Sequence, residues 1–443
     1  MIYYIGLDST DSEFGGCTTF TISKIIDLLF MLDTTITFIN YPSLVRLNPN
    51  IPIKTRGNAA VALCVNSRLE KNELFLPIME LVENDFNEFK DTSNKLPCLI
   101  LLEGEIISIL SSYDIYKLSL MYYIDIQQIS NLLKNIIDKI LIWPKVNQST
   151  IGALAAIDAN FTMDFTYELI VYRNIEYYGR KRFINEESIK KADKTISEIF
   201  SSFDYYNNRE LIAPSGKDPV LIGIRGENAS KLVNYLDLLE CDEIYNSWTI
   251  FRTNQATDAH IQYVNENIAQ YSVISSIVTI SSYSKDIEGG HVKIQAYINL
   301  QSVTLIAFEP TKIIPKKLRL LVPGDKIYIH GSVGSFQESL QINLEFFEII
   351  HLMDHYRIKT PECACGNIMK KLGTFKGYKC SLCKNISFMP IKIQNERSLF
   401  LGEKIYASLS SQRHLTRPRK RLHRRNRDVP IKVTYDMIRR LFK

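Results

Sequence analysis

Toward its C-terminal end the chain reads Cys363-Ala-Cys365-Gly366 and, fourteen residues later, Cys380-Ser-Leu-Cys383. Two thiolate pairs at that separation complete a tetrahedral zinc site across a short hairpin, and so small a segment has no other source of a core. Four thiolates leave no open coordination position, so this zinc is structural. The quartet predicts a zinc ribbon over residues 358–390. Cys17, Cys64, Cys98 and Cys241 are scattered and make no secreted disulfide pattern. The N-terminus enters an apolar strand at once, without a signal peptide, and no apolar run is long enough to cross a bilayer. A cytoplasmic protein with no membrane partner is expected.

At the opposite end, Gly6 to Thr19 reads Gly-Leu-Asp-Ser-Thr-Asp-Ser-Glu-Phe-Gly-Gly-Cys-Thr-Thr, so Asp8, Asp11 and several hydroxyls leave a strand before a helix begins. Thr18 falls where a helix starting near Thr19 would have its cap. Free amides at a helix start favour phosphate, and two aspartates would repel that phosphate unless a divalent cation lies between them. The segment therefore reads as a magnesium and nucleotide site, with Ser9 and Thr10 inside it. It is not a Walker loop, because no Gly-Lys-Ser/Thr follows. A turn with solvated capping aspartates is the plainer alternative. Close by, Leu44 to Ala60 carries Arg46, Asn48, Lys54, Arg56 and Asn58 among turn residues, cations and amides suited to phosphates or a base edge.

Charge is uneven. Gln412 to Arg427 holds Arg413, Arg417, Arg419, Lys420, Arg421, Arg424, Arg425 and Arg427 and no acid; against a whole-chain charge of +5 this leaves −3 for the rest. Concentrated arginine without a lipid-facing apolar face points to nucleic acid ahead of a solvated tail.

Periodicity divides the chain into modules of a multidomain α/β plus α+β protein. Residues 1–147 form an α/β domain, with strands Ile2 to Leu7, Thr35 to Asn40, Ala59 to Val65 and Cys98 to Leu102 and helices Thr19 to Leu32 and Ile126 to Ile140. Residues 151–265 give the βαββαβ order of a ferredoxin-like domain: strand Tyr167 to Arg173, helix Glu186 to Phe200, strands Glu210 to Ala213 and Pro219 to Gly226, helix Ala229 to Leu239, strand Ser247 to Arg252. Residues 270–352 give five strands with one helix between the third and fourth, an OB-fold barrel. After the ribbon, residues 391–443 are a basic C-terminal extension ending in an amphipathic stretch, Ile431 to Phe442.

The module order and several strings together resemble the archaeal tRNA(Ile) 2-agmatinylcytidine synthetase family over nearly the full length. The strings are Gly6-Leu-Asp-Ser-Thr-Asp-Ser with Cys17-Thr18-Thr19, Val45-Arg-Leu-Asn-Pro-Asn with Lys54-Thr-Arg-Gly-Asn58, Ile151-Gly-Ala-Leu-Ala-Ala, and Tyr167-Glu-Leu-Ile. They continue with Pro214-Ser-Gly, Asp218-Pro-Val, Gly223-Ile-Arg-Gly-Glu227, Arg252-Thr-Asn-Gln-Ala-Thr-Asp-Ala-His260, Gly289-Gly-His-Val and Glu309-Pro-Thr-Lys312. The resemblance implies a kinase-like N-terminal domain and a ligase that replaces the position-2 oxygen of the wobble cytidine of isoleucine tRNA, anticodon CAU, by agmatine, with ATP going to AMP and phosphates. It further implies that Thr18 is the threonine that becomes phosphorylated, that Asp8 and Asp11 belong to the metal and ATP loop, and that the ribbon helps hold the anticodon end of the tRNA. No obligate protein partner is indicated.

Two positions depart from the family pattern. Ser9 stands where a second aspartate is common, which leaves one potential magnesium ligand neutral. The first knuckle is Cys-x-Cys rather than Cys-x-x-Cys, which bears on its geometry more than on the metal.

The implied chemistry has a clear need. A cytosine carbonyl oxygen leaves poorly until it becomes a phosphate ester, and ATP supplies that activation. Magnesium on Asp8 and Asp11 would shield the triphosphate, Thr18 would accept or steer a phosphoryl group, and Arg46, Lys54 or Arg56 would neutralise charge in transfer. Two other readings stand beside this one: a non-catalytic RNA- or single-strand-binding protein of barrel and ribbon type, and an RNA-modifying enzyme using another amine such as lysine.

Overall fold

The computed structural model describes residues 1–443 except 53, 55, 56, 90–95, 218, 265–267, 336–339, 374, 375, 395, 428–431 and 443. Arg56, Asp218 and Ile431, named above, lie outside the described residues. The chain divides into two compact units, residues 1–274 with 408–443, and residues 275–407.

The first unit is organised on one large mixed sheet. Strand β1 (Ile2–Asp8) leads to helix α1 (Thr18–Leu32), followed by β2 (Thr37–Phe38), β3 (Ser43–Arg46), β4 (Ala59–Asn66), helix α2 (Lys71–Glu88) and β5 (Cys98–Glu103). The segment expected as one helix from Ile126 to Ile140 is broken. Short helices α3 (Ile107–Ser111) and α4 (Ile115–Met121) precede it, then a 3-10 turn at Ile126–Ile129, α5 (Ser130–Ile136), a second 3-10 turn and strand β6 (Ile140–Trp143). The reason is tertiary: β6 pairs with the free edge of β5, Leu99 opposite Trp143, and the gain in sheet bonds overrides the helical pattern.

Helix α6 (Ser149–Asp158) then crosses the sheet, with every residue from Thr150 to Asp158 buried. It lies unusually close to β1, because a β-carbon on Gly6 would fall 2.6 Å from the Ala153 carbonyl oxygen. Small residues at that crossing let backbone approach backbone.

The remaining elements are β7 (Thr166–Arg173), α7 (Glu186–Thr195), β8 (Ile199–Phe200), the short hairpin β9 (Phe203–Asp204) and β10 (Arg209–Glu210), β11 (Val220–Gly226), α8 (Ala229–Leu236) and β12 (Tyr245–Thr253). The strand expected over Glu210 to Ala213 is only the second half of that hairpin, and the helix expected to reach Phe200 stops at Thr195. The sheet order is β6-β5-β1-β4-β3-β12-β7-β11-β8, with β3 and β12 parallel (Ser43 opposite Arg252) and the other neighbours antiparallel. The two halves therefore share one sheet and one core, in which Leu7, Ile22, Ile26, Leu169 and Ile224 have no exposed surface.

Residues 408–443 also belong to this unit. Arg439–Leu441 pairs with β12, and the guanidinium of Arg439 forks onto Asp27 of α1. What the composition presents as a tail is in part structural.

The second unit holds a barrel of five main strands, Val273–Ile280, His291–Ile298, Gln301–Ala307, Lys326–Ser335 and Leu340–His351, with helix Ile313–Leu318 between the third and fourth. Beyond it lies the ribbon, whose strands are two residues long. Among the described residues no helix is long and apolar enough to cross a membrane.

Candidate active site

The acidic loop closes on itself. The Ser12 amide donates to the Gly16 carbonyl at 3.1 Å, and the Gly16 amide donates to Ser12 Oγ at 2.9 Å. Ser9, at the exit of β1, has a φ of 61°, a left-handed conformation rare for a side-chain-bearing residue. The cap of α1 is Cys17, not Thr18, with φ −154° and no side-chain capping bond. Asp11 does that work from outside: its Oδ1 accepts the Thr18 amide at 2.7 Å and the Thr18 hydroxyl at 3.1 Å. A carboxylate thus occupies the positive end of α1. Thr10 Oγ1 donates to Thr18 Oγ1 at 3.1 Å, and both threonines are 3% exposed.

Asp8, the last residue of β1, lines a cavity of about 240 Å³ together with Ser9, Lys54, Asn58, Ser119, Gln148 and Gly152. Its carboxylate lies against the first turn of α6, where a β-carbon on Gly152 would fall 2.0 Å from Oδ2. Burial, with the charge of Asp8 adding to it, pushes the Cys98 thiol behind it up to about 12, against a hydrogen bond to Thr150 that pulls the other way.

The expected cations and amides divide. Burial draws the Arg46 guanidinium below its ordinary value, while the charges of Glu168, Asp11 and Cys17 oppose that shift. Its Nη2 lies 3.9 Å from Glu168 Oε2, and Glu168 also takes Arg225 Nε at 3.0 Å and the Gln255 amide. Asn254 clasps the Arg46 backbone, accepting its N–H and donating to its C=O, each at 2.8 Å. Sequence reasoning assigned no role to Glu168, Arg225, Asn254 and Gln255. The strings around them were the signal. Lys54 reaches the Pro49 carbonyl. Asn48 is fully buried and braces its loop, donating to the Tyr271 carbonyl at 3.0 Å and accepting from the Asn50 amide at 2.9 Å; the Asn58 amide donates to the Asn48 carbonyl at 2.6 Å.

The arginine window is corrected in two places. Arg417 and Arg421, expected to meet nucleic acid, are 7% and 0% exposed. Arg421 places Nη1 and Nη2 at 2.8 and 2.7 Å from Asp164 and Nε at 2.7 Å from Glu227, while Arg417 Nη2 shares Asp164 at 2.7 Å. Carboxylates distant in sequence claim them. Arg419, Lys420, Arg424, Arg425 and Arg427 remain exposed, and half-buried Arg413 donates to the Pro49 carbonyl at 3.3 Å.

In the ribbon the Sγ atoms of Cys363, Cys365, Cys380 and Cys383 all lie within 4.8 Å of one another, with Cys363 and Cys383 at 3.3 Å and Cys365 and Cys380 at 3.5 Å. That is near the ~3.8 Å edge of a tetrahedral zinc tetrathiolate. The shortened first knuckle still converges, through Gly366 at a φ of 81° and a bond from its amide to the Cys363 carbonyl at 2.8 Å.

Comparison with known proteins gives a consistent picture. Family models match for the TiaS TCKD domain at residues 4–75, the TiaS FLD domain at 147–260 and the TiaS C-terminal zinc ribbon domain at 360–399. The tRNA(Ile2) 2-agmatinylcytidine synthetase of Saccharolobus islandicus is 36% identical over 94% of this chain and 93% of its own length, and that of Ignisphaera aggregans 35% identical over 86% and 84%. Among solved structures, a TiaS–tRNA(Ile2)–ATP complex superposes with a TM-score of 0.85 at 29% identity, and a TiaS–tRNA(Ile2)–AMPCPP–agmatine complex with 0.80 at 28%. Each covers 97% of this chain and 100% of the other.

Proposed function

The chain belongs to the tRNA(Ile2) 2-agmatinylcytidine synthetase family, ATP-dependent ligases that join agmatine to the wobble cytidine of that tRNA, and we propose that in this member the reaction is run by the loop from Asp8 to Thr18. Its substrates are tRNA(Ile2), agmatine and ATP. The observation that carries the residue assignment is that Asp11 Oδ1 receives both the amide and the hydroxyl of Thr18. A hydroxyl aimed at a carboxylate has somewhere to send its proton as it attacks phosphorus.

In this reading Thr18 accepts a phosphoryl group from ATP, and Asp11 takes the displaced proton. Asp8, Ser9, Lys54 and Asn58 line the cavity that receives the phosphate end of the nucleotide. Arg46 neutralises charge in transfer, and Asn48 acts by holding that loop in shape. Hard carboxylate oxygens from Asp8 and Asp11 suit Mg2+, which when bound would offset the charge of the triphosphate. Transfer of a phosphoryl group from the nucleotide to the cytosine oxygen makes that oxygen part of a leaving phosphate, and the agmatine amine then attacks carbon 2, losing a proton as the carbon–oxygen bond breaks and phosphate departs.

The module assignments follow the same reading: a kinase-like domain at 1–147, a ferredoxin-like domain at 151–265, an OB-fold domain at 270–352, a ribbon at 358–390 and a basic extension at 391–443. The order β12-β7-β11-β8 is that of a ferredoxin-like sheet, which supports the second of these.

The test is mass analysis of the wobble nucleoside after incubation of the protein with unmodified tRNA(Ile2), ATP and agmatine, with Thr18→Ala in parallel. The parent is expected to add agmatine, and Thr18→Ala to bind tRNA but add none. Incorporation by Thr18→Ala at the parental rate would remove Thr18 from the mechanism. ATP consumption without tRNA or agmatine would count against the coupled reaction.

A further inference from the structure

Thr18 stands in the first turn of α1, a helix held to the body of the protein by contacts that the steps above leave unused. Thr10 Oγ1, which donates to Thr18, also lies 3.5 Å from Thr21 Oγ1, one turn further along α1. Thr21 donates to Asp85 Oδ2, and Lys24 of the same helix donates to Asp85 Oδ1. Asp85 is 8% exposed and sits in the last turn of α2 (Lys71–Glu88). A carboxylate there opposes the dipole of its own helix and gives up hydration, so its own environment does not favour it. Both costs are offset by what it receives from α1.

A hydroxyl has one proton and two lone pairs, and a carboxylate only accepts. Asp11 therefore takes the proton of Thr18 at one end, and Asp85 takes that of Thr21 at the other. Thr10, between them, is left to donate, and its nearer acceptor is Thr18. This assigns the proton and one lone pair of Thr18 Oγ1 and leaves a single lone pair for phosphorus.

We propose that Asp85 is a positioning residue for Thr18, fixing through Thr21 and Lys24 the first turns of α1, from which Thr18 projects. The inference rests on the reading of Thr18 as phosphoryl acceptor. In that step Oγ1 bonds to phosphorus, the bridging phosphorus–oxygen bond of ATP breaks with its electron pair going to the departing phosphate oxygen, and the hydroxyl proton passes to Asp11. Asp85 touches none of the reacting atoms.

The test uses the full-length protein with Asp85→Asn, Thr21→Val, Thr21→Ser and Thr18→Ala, measuring kcat, KM for ATP and agmatine, tRNA affinity, and phosphate on Thr18 by mass spectrometry. Asp85→Asn and Thr21→Val are expected to lower kcat and Thr18 phosphorylation about tenfold or more, the usual scale for a misaimed nucleophile. KM and tRNA affinity should stay within about twofold. Thr21→Ser, which keeps the donor, should retain parental kcat. Parental kcat in Asp85→Asn with Thr18→Ala inactive overturns this inference alone, and so does a loss in which Thr21→Ser falls as far as Thr21→Val. An active Thr18→Ala overturns the acceptor reading beneath it.

Discussion

Gly152 and Asp8 share a space that holds only one of a β-carbon and a carboxylate oxygen, since the added atom would lie 2.0 Å from Oδ2. The glycine lets the positive end of α6 come up against the acid of β1. Gly152→Ala is therefore expected to displace Asp8 and lower agmatine incorporation about a hundredfold, the cost of a misplacement near 1 Å, with overpacking costing about 1–3 kcal/mol in stability. Turnover and thermal unfolding measured together check this. A variant with full turnover would separate the position of Asp8 from the reaction.

The fork from Arg421 to Asp164 is a structural bond inside an apparently solvated segment. Arg421→Ala leaves Glu227 without its 2.7 Å partner and Asp164 with only Arg417 and the Asn426 amide, and should cost about 3 kcal/mol. Burial pushes the Asp164 carboxyl up, but the hydrogen bonds and charge of Arg421, the Asn426 amide and Arg417 outweigh it and hold it below the usual carboxylate range. A depressed value in the folded state means that this stability is present above the unfolded value and is lost as pH falls through the folded one. Asp258, whose carboxyl burial pushes up, acts in the opposite sense. Acid unfolding of Arg421→Ala should begin at higher pH than that of the parent; coincident acid limbs would assign the pair no role in stability.

The exposed members of the window are the ones available to phosphate. Replacing Arg424, Arg425 and Arg427 together by alanine should weaken tRNA binding and reduce the slope of log affinity against log salt by roughly two, at about 0.7 per lost contact on single strands. Filter binding across a salt series measures it. An unchanged slope would mean that these side chains do not meet the tRNA.

What the chain discloses in advance is what lies close in sequence. Strand β1, the acidic loop and α1 follow one another directly, and the four cysteines span 21 residues, so pattern and spacing suffice for both. Arg421 is different, because a polybasic run reads as solvated until Asp164, 257 positions away, is seen to claim it. Likewise the string around Glu168 does not say what it contacts, and Glu168 gathers Arg225, Gln255 and Arg46 from three other strings. The break of the expected helix at Ile140 and the approach of α6 to Gly6 also depend on partners supplied by the sheet, and period alone carries no information about those partners.

The ribbon depends on its metal more than any other part. Among the described residues its buried apolar set is Cys363, Met369 and Cys380 with Tyr378 packed against them, while Phe388 and Met389 are 73% and 82% exposed. So small a core cannot offset the roughly 1–2 kcal/mol per residue of backbone ordering, and coordination must supply the difference. A strong chelator, or Cys383→Ser, should release one zinc per chain and abolish amide protection between Pro361 and Ser387. The barrel strands from Val273 to His351 have their own hydrogen-bonded sheet and should stay protected. Hydrogen exchange read by peptide mass tests both halves at once: protection that persists in the ribbon after the zinc is gone would show that the four thiolates do not hold it together.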